Sequence, residues 1–76
     1  MQVTVTVMLK NGVLDPQGEA VKSALGVLGF SGINAVRQGK IIVLDVEDGV
    51  DFPKVNEMCS QLLVNSVIES YSVGIL

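Results

Sequence analysis

Residues 12–30 read GVLDPQGEAVKSALGVLGF, and the beginning of this stretch is typical of a helix start. The carboxylate of Asp15 can accept backbone N–H groups as an N-cap, and Pro16 stands at a position where a helix needs no N–H. An apolar stripe then follows at helical spacing, made of Val21, Ala24, Leu25 and Leu28. The stretch therefore predicts an amphipathic helix.

The end of the same stretch is typical of a helix stop. Gly29 stands where a left-handed residue is favoured, and Phe30 can fold back on Leu25 in a Schellman closure. Two further glycines, Gly18 and Gly26, weaken the helix by about 1 kcal/mol each relative to alanine. Either packing against other elements stabilises the helix in spite of these glycines, or the close approach of another backbone requires them.

Residues 2–10, which precede this helix, alternate in the manner of a strand with one buried face. The apolar set consists of Val3, Val5, Val7 and Leu9. Asn11 and Gly12 form a turn signal that ends the strand. We therefore expect a strand, a turn and the helix in this order.

The segment after the helix predicts a hairpin. Val36 leads into Arg37-Gln38-Gly39-Lys40, where Gly39 would supply the positive φ of a tight turn, and residues 41–47 form the returning strand. That strand has apolar residues on both sides: Ile42, Leu44 and Val46 on one, Ile41 and Val43 on the other. One of its faces, or an edge of the sheet, should therefore meet another chain.

The second half of the chain repeats the order of helix and strand. Asp51 and Pro53 predict a helix start, and Asn65 predicts its end. The helix has a wide apolar stripe that consists of Val55, Met58, Cys59, Leu62 and Leu63. Residues 67–76 are rich in β-branched side chains and predict a last strand, with Tyr71, Val73 and Ile75 on a common side.

The predicted order is β-α-β-β-α-β, and a shift of 35 positions places Val7 on Ile42 and Leu28 on Leu63. Two right-handed βαβ halves of this kind form an α+β, ferredoxin-like fold. We therefore expect residues 1–76 to form a single domain. It would have a four-stranded antiparallel sheet with both helices on one face and the other face open.

Composition favours association with other proteins. A chain of 76 residues removes only about 60% of its surface from water on folding, yet 49% of these residues are hydrophobic. The longest aliphatic run, Ile41 to Leu44, is far shorter than the roughly 20 residues of a membrane span. No secretory signal is evident, so we expect a cytoplasmic protein with no membrane partner.

The residue types exclude several kinds of site. With five Lys and Arg and a net charge of −3, the chain is a poor ligand for nucleic acid. There is no histidine, and the single cysteine, Cys59, lies on a predicted apolar stripe. We therefore predict no catalytic residues, no metal site and no cofactor bound by this chain, and we interpret Asp15 and Asp51 as helix caps.

Arg37, Gln38 and Lys40 form the one compact polar and basic group, at the tip of the predicted hairpin. Two interpretations stay open. The side chains form a solvated turn, or they contact an acidic surface or a phosphate-bearing substrate on a neighbouring subunit.

The chain resembles the PurS family, the small subunit of bacterial and archaeal phosphoribosylformylglycinamidine synthase. The resemblance covers nearly the whole chain and rests on Gly12-Val13-Leu14-Asp15-Pro16-Gln17-Gly18, Ala20-Val21, Ala24-Leu25, Leu28-Gly29-Phe30, Val36-Arg37-Gln38-Gly39-Lys40, Glu57-Met58-Cys59, Leu62-Leu63, Asn65, Val67-Ile68-Glu69 and Tyr71.

The resemblance implies a non-catalytic assembly subunit. In the family's complex, a glutaminase subunit releases ammonia from glutamine, and a large synthetase subunit that uses ATP and Mg transfers it to formylglycinamide ribonucleotide. The small subunit would associate with itself, as a dimer or a tetramer, and bridge the other two. The candidate contacts are Asp15, Pro16, Gln17, Gly18, Arg37, Gln38, Lys40, Ile41 and Val43.

Two other functions are compatible with the predicted topology. A regulatory module of ferredoxin-like fold would bind a small molecule at a dimer interface. An acylphosphatase-like enzyme would need an anion-binding loop, but no basic residue lies between Lys10 and Lys22.

Overall fold

The computed structural model describes residues 1–75, which contain three β-strands and two α-helices. In chain order these are β1 (Gln2–Leu9), α1 (Pro16–Val27), β2 (Gly39–Asp45), α2 (Phe52–Met58) and β3 (Glu69–Ile75), and α2 continues directly into a π-helical turn, Cys59–Leu63. The last strand thus begins two residues later than predicted. The predicted final residue of that strand, Leu76, lies outside the described residues.

The sheet is antiparallel and has β1 at its centre, with the order β2-β1-β3. Val5 lies opposite Ile42 on one side and Val73 on the other. Val3, Val5 and Val7 are fully buried, whereas the alternate residues of β1 are half-buried or exposed. The period-2 prediction for β1 is therefore confirmed, as is the common side of Tyr71, Val73 and Ile75.

One face of this sheet is covered by α2 and the turn that follows it. Val55, Cys59 and Val64 are buried against the valines of β1, and the Tyr71 hydroxyl donates to Oδ1 of Asn56 at 3.2 Å. The helix begins as predicted, because the Asp51 carboxylate accepts the N–H of Lys54 at 3.1 Å.

The predicted stripe of the second helix is only partly correct. The N–H of Val64 reaches the carbonyl of Cys59 at 3.0 Å across the π-helical turn, which inserts a residue relative to an α-helix. This change of register buries Val64 and leaves Leu62 84% exposed, whereas Met58, which precedes the turn, is 39% exposed. The helical turn ends at Leu63 with Val64 as its C-cap, so Asn65 is the first residue past the helix, as predicted.

The first helix, α1, projects from the rest of the molecule. Of its twelve residues, all of them described, only Gly18 is buried. The chain measures 50 × 25 × 15 Å with a radius of gyration of 15.8 Å, against about 11 Å for a compact chain of this length. The prediction that both helices pack on one face of the sheet is therefore corrected, because α1 leaves the sheet that α2 covers.

The predicted strand before the hairpin and the hairpin itself are not confirmed. Residues 30–38 have no regular secondary structure, so the sheet within residues 1–75 has three strands instead of four. Gly39 is the first residue of β2 and has no positive φ. Glycine is needed there for another reason: a Cβ would overlap the Met8 sulfur and the Val7 carbonyl of the neighbouring strand.

Candidate functional site

The carboxylate of Asp15 joins two distant parts of the chain. Its Oδ1 accepts the N–H of Gly18 at 2.9 Å, which confirms the predicted helix cap. Its Oδ2 accepts the N–H of Gln38 at 2.8 Å, immediately before β2. These hydrogen bonds, first from Gly18 and then from Gln38, lower the pKa of Asp15, and the nearby Arg37 charge lowers it further.

Gly18 permits a close crossing of two backbone segments. A Cβ at this position would overlap the carbonyl oxygen of Val36 and would lie 2.7 Å from Oδ2 of Asp15. Of the two explanations that the sequence leaves open for Gly18, the close approach of another backbone is the correct one. Gly26 has open space around it, so no neighbour requires glycine there.

Arg37 is engaged with its own chain. Its Nη2 donates to the carbonyls of Leu9 at 2.8 Å and Lys10 at 3.1 Å, just where β1 ends. The prediction that Arg37 lies at the tip of a hairpin is therefore corrected. The guanidinium holds the segment that enters β2 against the segment that leaves β1.

An open hollow of about 530 Å³ lies beside this crossing, at the end of the sheet where β1 finishes and β2 begins. We call it the sheet-end hollow, and its lining residues are Val7, Leu9, Asp15, Pro16, Gln17, Gln38, Gly39, Lys40 and Glu69. Lys40 Nζ and Glu69 Oε2 face each other across it at 3.9 Å. The lysine is largely exposed, so this pair contributes little to stability.

The structure brings together most of the predicted contact residues. Five of the nine candidates line the sheet-end hollow, namely Asp15, Pro16, Gln17, Gln38 and Lys40. Gly18 and Arg37 lie at the adjoining backbone crossing. Ile41 and Val43 are elsewhere: both are on the other face of the sheet, where they are 65% and 54% exposed.

Sequence reasoning missed Glu69 as a neighbour of this group. The signal was present, because Glu69 has the same two-residue phase as Tyr71 and Val73, whose common side was predicted. Its partner in the register is Leu9. The pairing of β1 with both β2 and β3 shows that this phase places Glu69 beside Lys40.

The apolar stripe of α1 is well formed but uncovered. The Schellman closure is present, with the N–H of Phe30 on the carbonyl of Leu25 at 3.0 Å and a φ of 95° at Gly29. Leu28 is nevertheless 72% exposed and Phe30 61% exposed. Exposed apolar side chains at helical spacing are typical of interaction surfaces.

The potential metal ligands of the described residues are dispersed, and the thiol is buried. Within residues 1–75, no three His, Cys, Asp or Glu side chains come together as metal ligands would. Cys59 is fully buried, and this burial raises the pKa of its thiol. None of the helices in that range combines the length and apolar character that a membrane span requires.

A comparison with family models gives one match over nearly the full length. The model described as "PurS: Phosphoribosylformylglycinamidine (FGAM) synthase" matches residues 2–76. Among individual proteins, the chain is 44% identical over 72 residues to the phosphoribosylformylglycinamidine synthase subunit PurS of Mycobacterium leprae, covering 95% of this chain and 91% of the relative. For the Bacillus subtilis subunit of the same name, the identity is 45% over 73 residues, with 92% and 86% covered.

Solved structures agree with the sequence matches. PurS from Bacillus subtilis superposes with a TM-score of 0.87 at 44% identity, covering 96% of this chain and 94% of that one. A chain in the structure of PurLQS from Thermotoga maritima superposes with a TM-score of 0.86 at 33% identity, covering 99% and 95%. These superpositions cover nearly the whole chain, so they include the projecting helix α1.

Proposed function

This chain belongs to the PurS family of phosphoribosylformylglycinamidine (FGAM) synthase, and from that premise we propose that it is a structural subunit of the synthase, which associates with itself and with larger subunits but makes no bonds of its own. The observation that carries the proposal is the uncovered apolar stripe of α1, which projects from a sheet that it could have covered. Such a helix is stable in water only when a partner buries it.

Two features of the described part of the chain support self-association: a hollow that no helix covers and a strand edge that no strand pairs with. The sheet-end hollow lies on the face that α2 covers, in the place where the first helix of a ferredoxin-like domain would pack. The outer edge of β2 pairs with no strand in residues 1–75. A second copy can supply both the missing helix and the missing strand, and a reciprocal exchange of this kind closes a two-fold dimer. The four-stranded ferredoxin-like order would then exist between copies.

The other face of the sheet is available for a second kind of contact. Ile41 and Val43 are exposed there, on the edge strand β2. We propose that this face docks either onto another pair of copies or onto a large subunit. The presence of a similar chain in the PurLQS structure of Thermotoga maritima supports the large subunit as a partner. The partners proposed for this chain are the synthetase and glutaminase subunits.

In that role the chain contributes proximity to the reaction. Ammonia released from glutamine on one subunit must reach the nucleotide on another without loss to water, and a bridge between the subunits shortens and shields that path. The chain would bind no cofactor. ATP and Mg would be bound by the synthetase subunit.

A second candidate function is a small-molecule sensor, and the sheet-end hollow is the observation that favours it. Its volume of about 530 Å³ lies within the range of about 300 to 1,000 Å³ that is usual for ligand pockets. A sensor would show saturable binding of a metabolite. If α1 of a second copy fills the hollow, no such binding is expected.

Reconstitution tests the proposed function. Purified synthetase and glutaminase subunits are assayed with and without this chain, once with glutamine and once with ammonia as the nitrogen source. We expect turnover with glutamine to depend on this chain far more than turnover with ammonia, because only glutamine requires transfer between subunits. Full turnover with glutamine in the absence of this chain would contradict the proposal.

A further inference from the structure

The projecting segment leaves and re-enters the domain at one carboxylate. We call residues 16–37 the arm: it comprises α1 and the irregular segment up to Arg37. Asp15 Oδ1 holds the start of the arm through Gly18, and Asp15 Oδ2 holds the residue after its end, Gln38. Away from this point nearly every residue of the arm is exposed or half-exposed, so the arm is fixed to the sheet only at its root.

The contacts at the root set the direction of the arm. The backbone at Val36 crosses α1 at Gly18, too close for any side chain there. Arg37 then ties the end of the arm to the carbonyls of Leu9 and Lys10. Both ends of the arm are thus held side by side at the root, and from there α1 leaves the sheet in the outward direction.

An outward direction is surprising on energetic grounds. The apolar stripe of the arm and the sheet-end hollow belong to the same chain, and a tethered segment has an effective concentration in the millimolar range. The arm of the same chain should therefore fill the hollow in preference to the arm of a second copy at micromolar concentration. Tethering gives no advantage when geometry forbids the internal contact, and the root is where hydrogen bonds hold the arm to its own chain.

We propose that the Asp15 carboxylate is a clamp that keeps the arm directed away from its own sheet and so commits it to a second copy. This inference rests on the proposed self-association. The clamp would decide whether the arm packs on its own sheet or on the sheet of a second copy. With the clamp closed, the internal packing is strained and exchange between copies is favoured. With it open, the arm can turn back on its own sheet and form a monomer.

A substitution at Asp15 separates the clamp from the helix cap. In Asp15→Asn the amide oxygen still caps the helix at Gly18, because asparagine is as good an N-cap as aspartate. Its amide nitrogen cannot accept the N–H of Gln38, so this half of the clamp is lost. Asp51→Asn is the matched control, since the Asp51 carboxylate caps α2 through a single contact with Lys54.

Sedimentation over a range of concentrations and hydrogen exchange at Gln38 measure the effect. For Asp15→Asn we expect the dissociation constant between copies to rise by about tenfold or more, since a hydrogen bond to a charged group is lost, and the Gln38 amide to exchange faster. Asp51→Asn should leave both quantities unchanged. Should Asp15→Asn fail to fold, Asp15→Ser provides the same test with a shorter cap.

Each alternative result overturns a defined part of the proposal. If the Gln38 amide exchanges faster but the dissociation constant stays at the wild-type value, the clamp does not control association. If the Gln38 amide keeps its protection in Asp15→Asn, the carboxylate is not the clamp. If the wild-type chain is a monomer at every concentration, the proposed self-association fails, and the clamp fails with it.

Discussion

Asp15 and Gln38 are 23 residues apart in the chain, yet the carboxylate of the first accepts the backbone N–H of the second at 2.8 Å. The residues between them form an arm that contributes almost nothing to the core of its own chain. The fold thus has a rigid part, in which α2 covers the valines of β1, and a projecting part held at one point. This division is what makes a docking role testable with single substitutions.

The stripe of α1 should control self-association without affecting the fold. Leu28→Glu places a charge on the stripe, whereas Val27→Glu places one on another side of the same helix, where Val27 is 88% exposed. We expect Leu28→Glu to weaken association by roughly 100-fold or more, because a leucine in each copy loses its burial. Val27→Glu should have a much smaller effect.

Sedimentation measures that effect, and circular dichroism checks the fold of both variants. Both should keep wild-type helicity at concentrations at which the copies still associate, since neither side chain is buried within its own chain. Equal weakening by the two variants would show that the stripe is not the contact.

The two glycines of α1 should respond to alanine in opposite directions. Gly18→Ala should lower the free energy of unfolding by about 1 to 3 kcal/mol, because its Cβ would overlap the Val36 carbonyl. Gly26→Ala meets no neighbour within 4 Å and should raise it by about 0.5 to 1 kcal/mol through helix propensity. Urea unfolding of both variants checks this, and a stabilised Gly18→Ala would refute the backbone crossing.

Stability should depend on pH through Asp15. The folded state lowers the pKa of this carboxyl below its ordinary value of 3.8, so its contribution is complete above that value and is lost as pH falls through the folded pKa. The Arg37 charge favours the ionised form of Asp15. The other charged groups that line the same hollow are Lys40 and Glu69. Urea unfolding of the wild type and of Asp15→Asn from pH 7 to 2.5 should show a difference that shrinks below about pH 4.

A difference between the two proteins that stays constant over the whole range would argue against a charged Asp15 at the clamp. Asp51→Asn serves again as the control for an ordinary helix cap.

Cys59 should matter for packing and not for turnover. Its side chain is fully buried beside Val55 and Val64, so Cys59→Ala removes the thiol from the core and should cost about 1 to 3 kcal/mol of stability. Turnover with glutamine in the reconstituted synthase should stay close to the wild-type rate. A variant that folds and assembles normally but shows no turnover would assign the thiol a chemical role.

Local signals in the sequence were sufficient for the individual elements. The two Asp-capped helix starts, the Schellman closure at Gly29 and the alternation of β1 all depend on residues within one turn or one strand, and all four are present. The sequence also predicts correctly that Tyr71 and Val73 of β3 lie on the same face of the sheet. Such features are set by contacts between near neighbours, which a sequence displays directly.

Longer-range features could not be predicted in the same way. The stripe of α1 shows that the helix needs an apolar partner, but periodicity does not show which chain supplies it. The second contact of Asp15 depends on where Gln38 returns, and the burial of Val64 depends on a π-helical turn that α-helical spacing does not anticipate. The turn pattern predicts a positive φ at Gly39, whereas close contact with the neighbouring strand is the actual constraint.

The oligomeric state of the wild-type chain tests the central claim most directly. Sedimentation at micromolar concentration should give a species of at least twice the 8.0 kDa of one chain, because two copies together can cover the stripe of α1 and the sheet-end hollow. A species of 8.0 kDa at every concentration, with α1 still helical, would contradict the account.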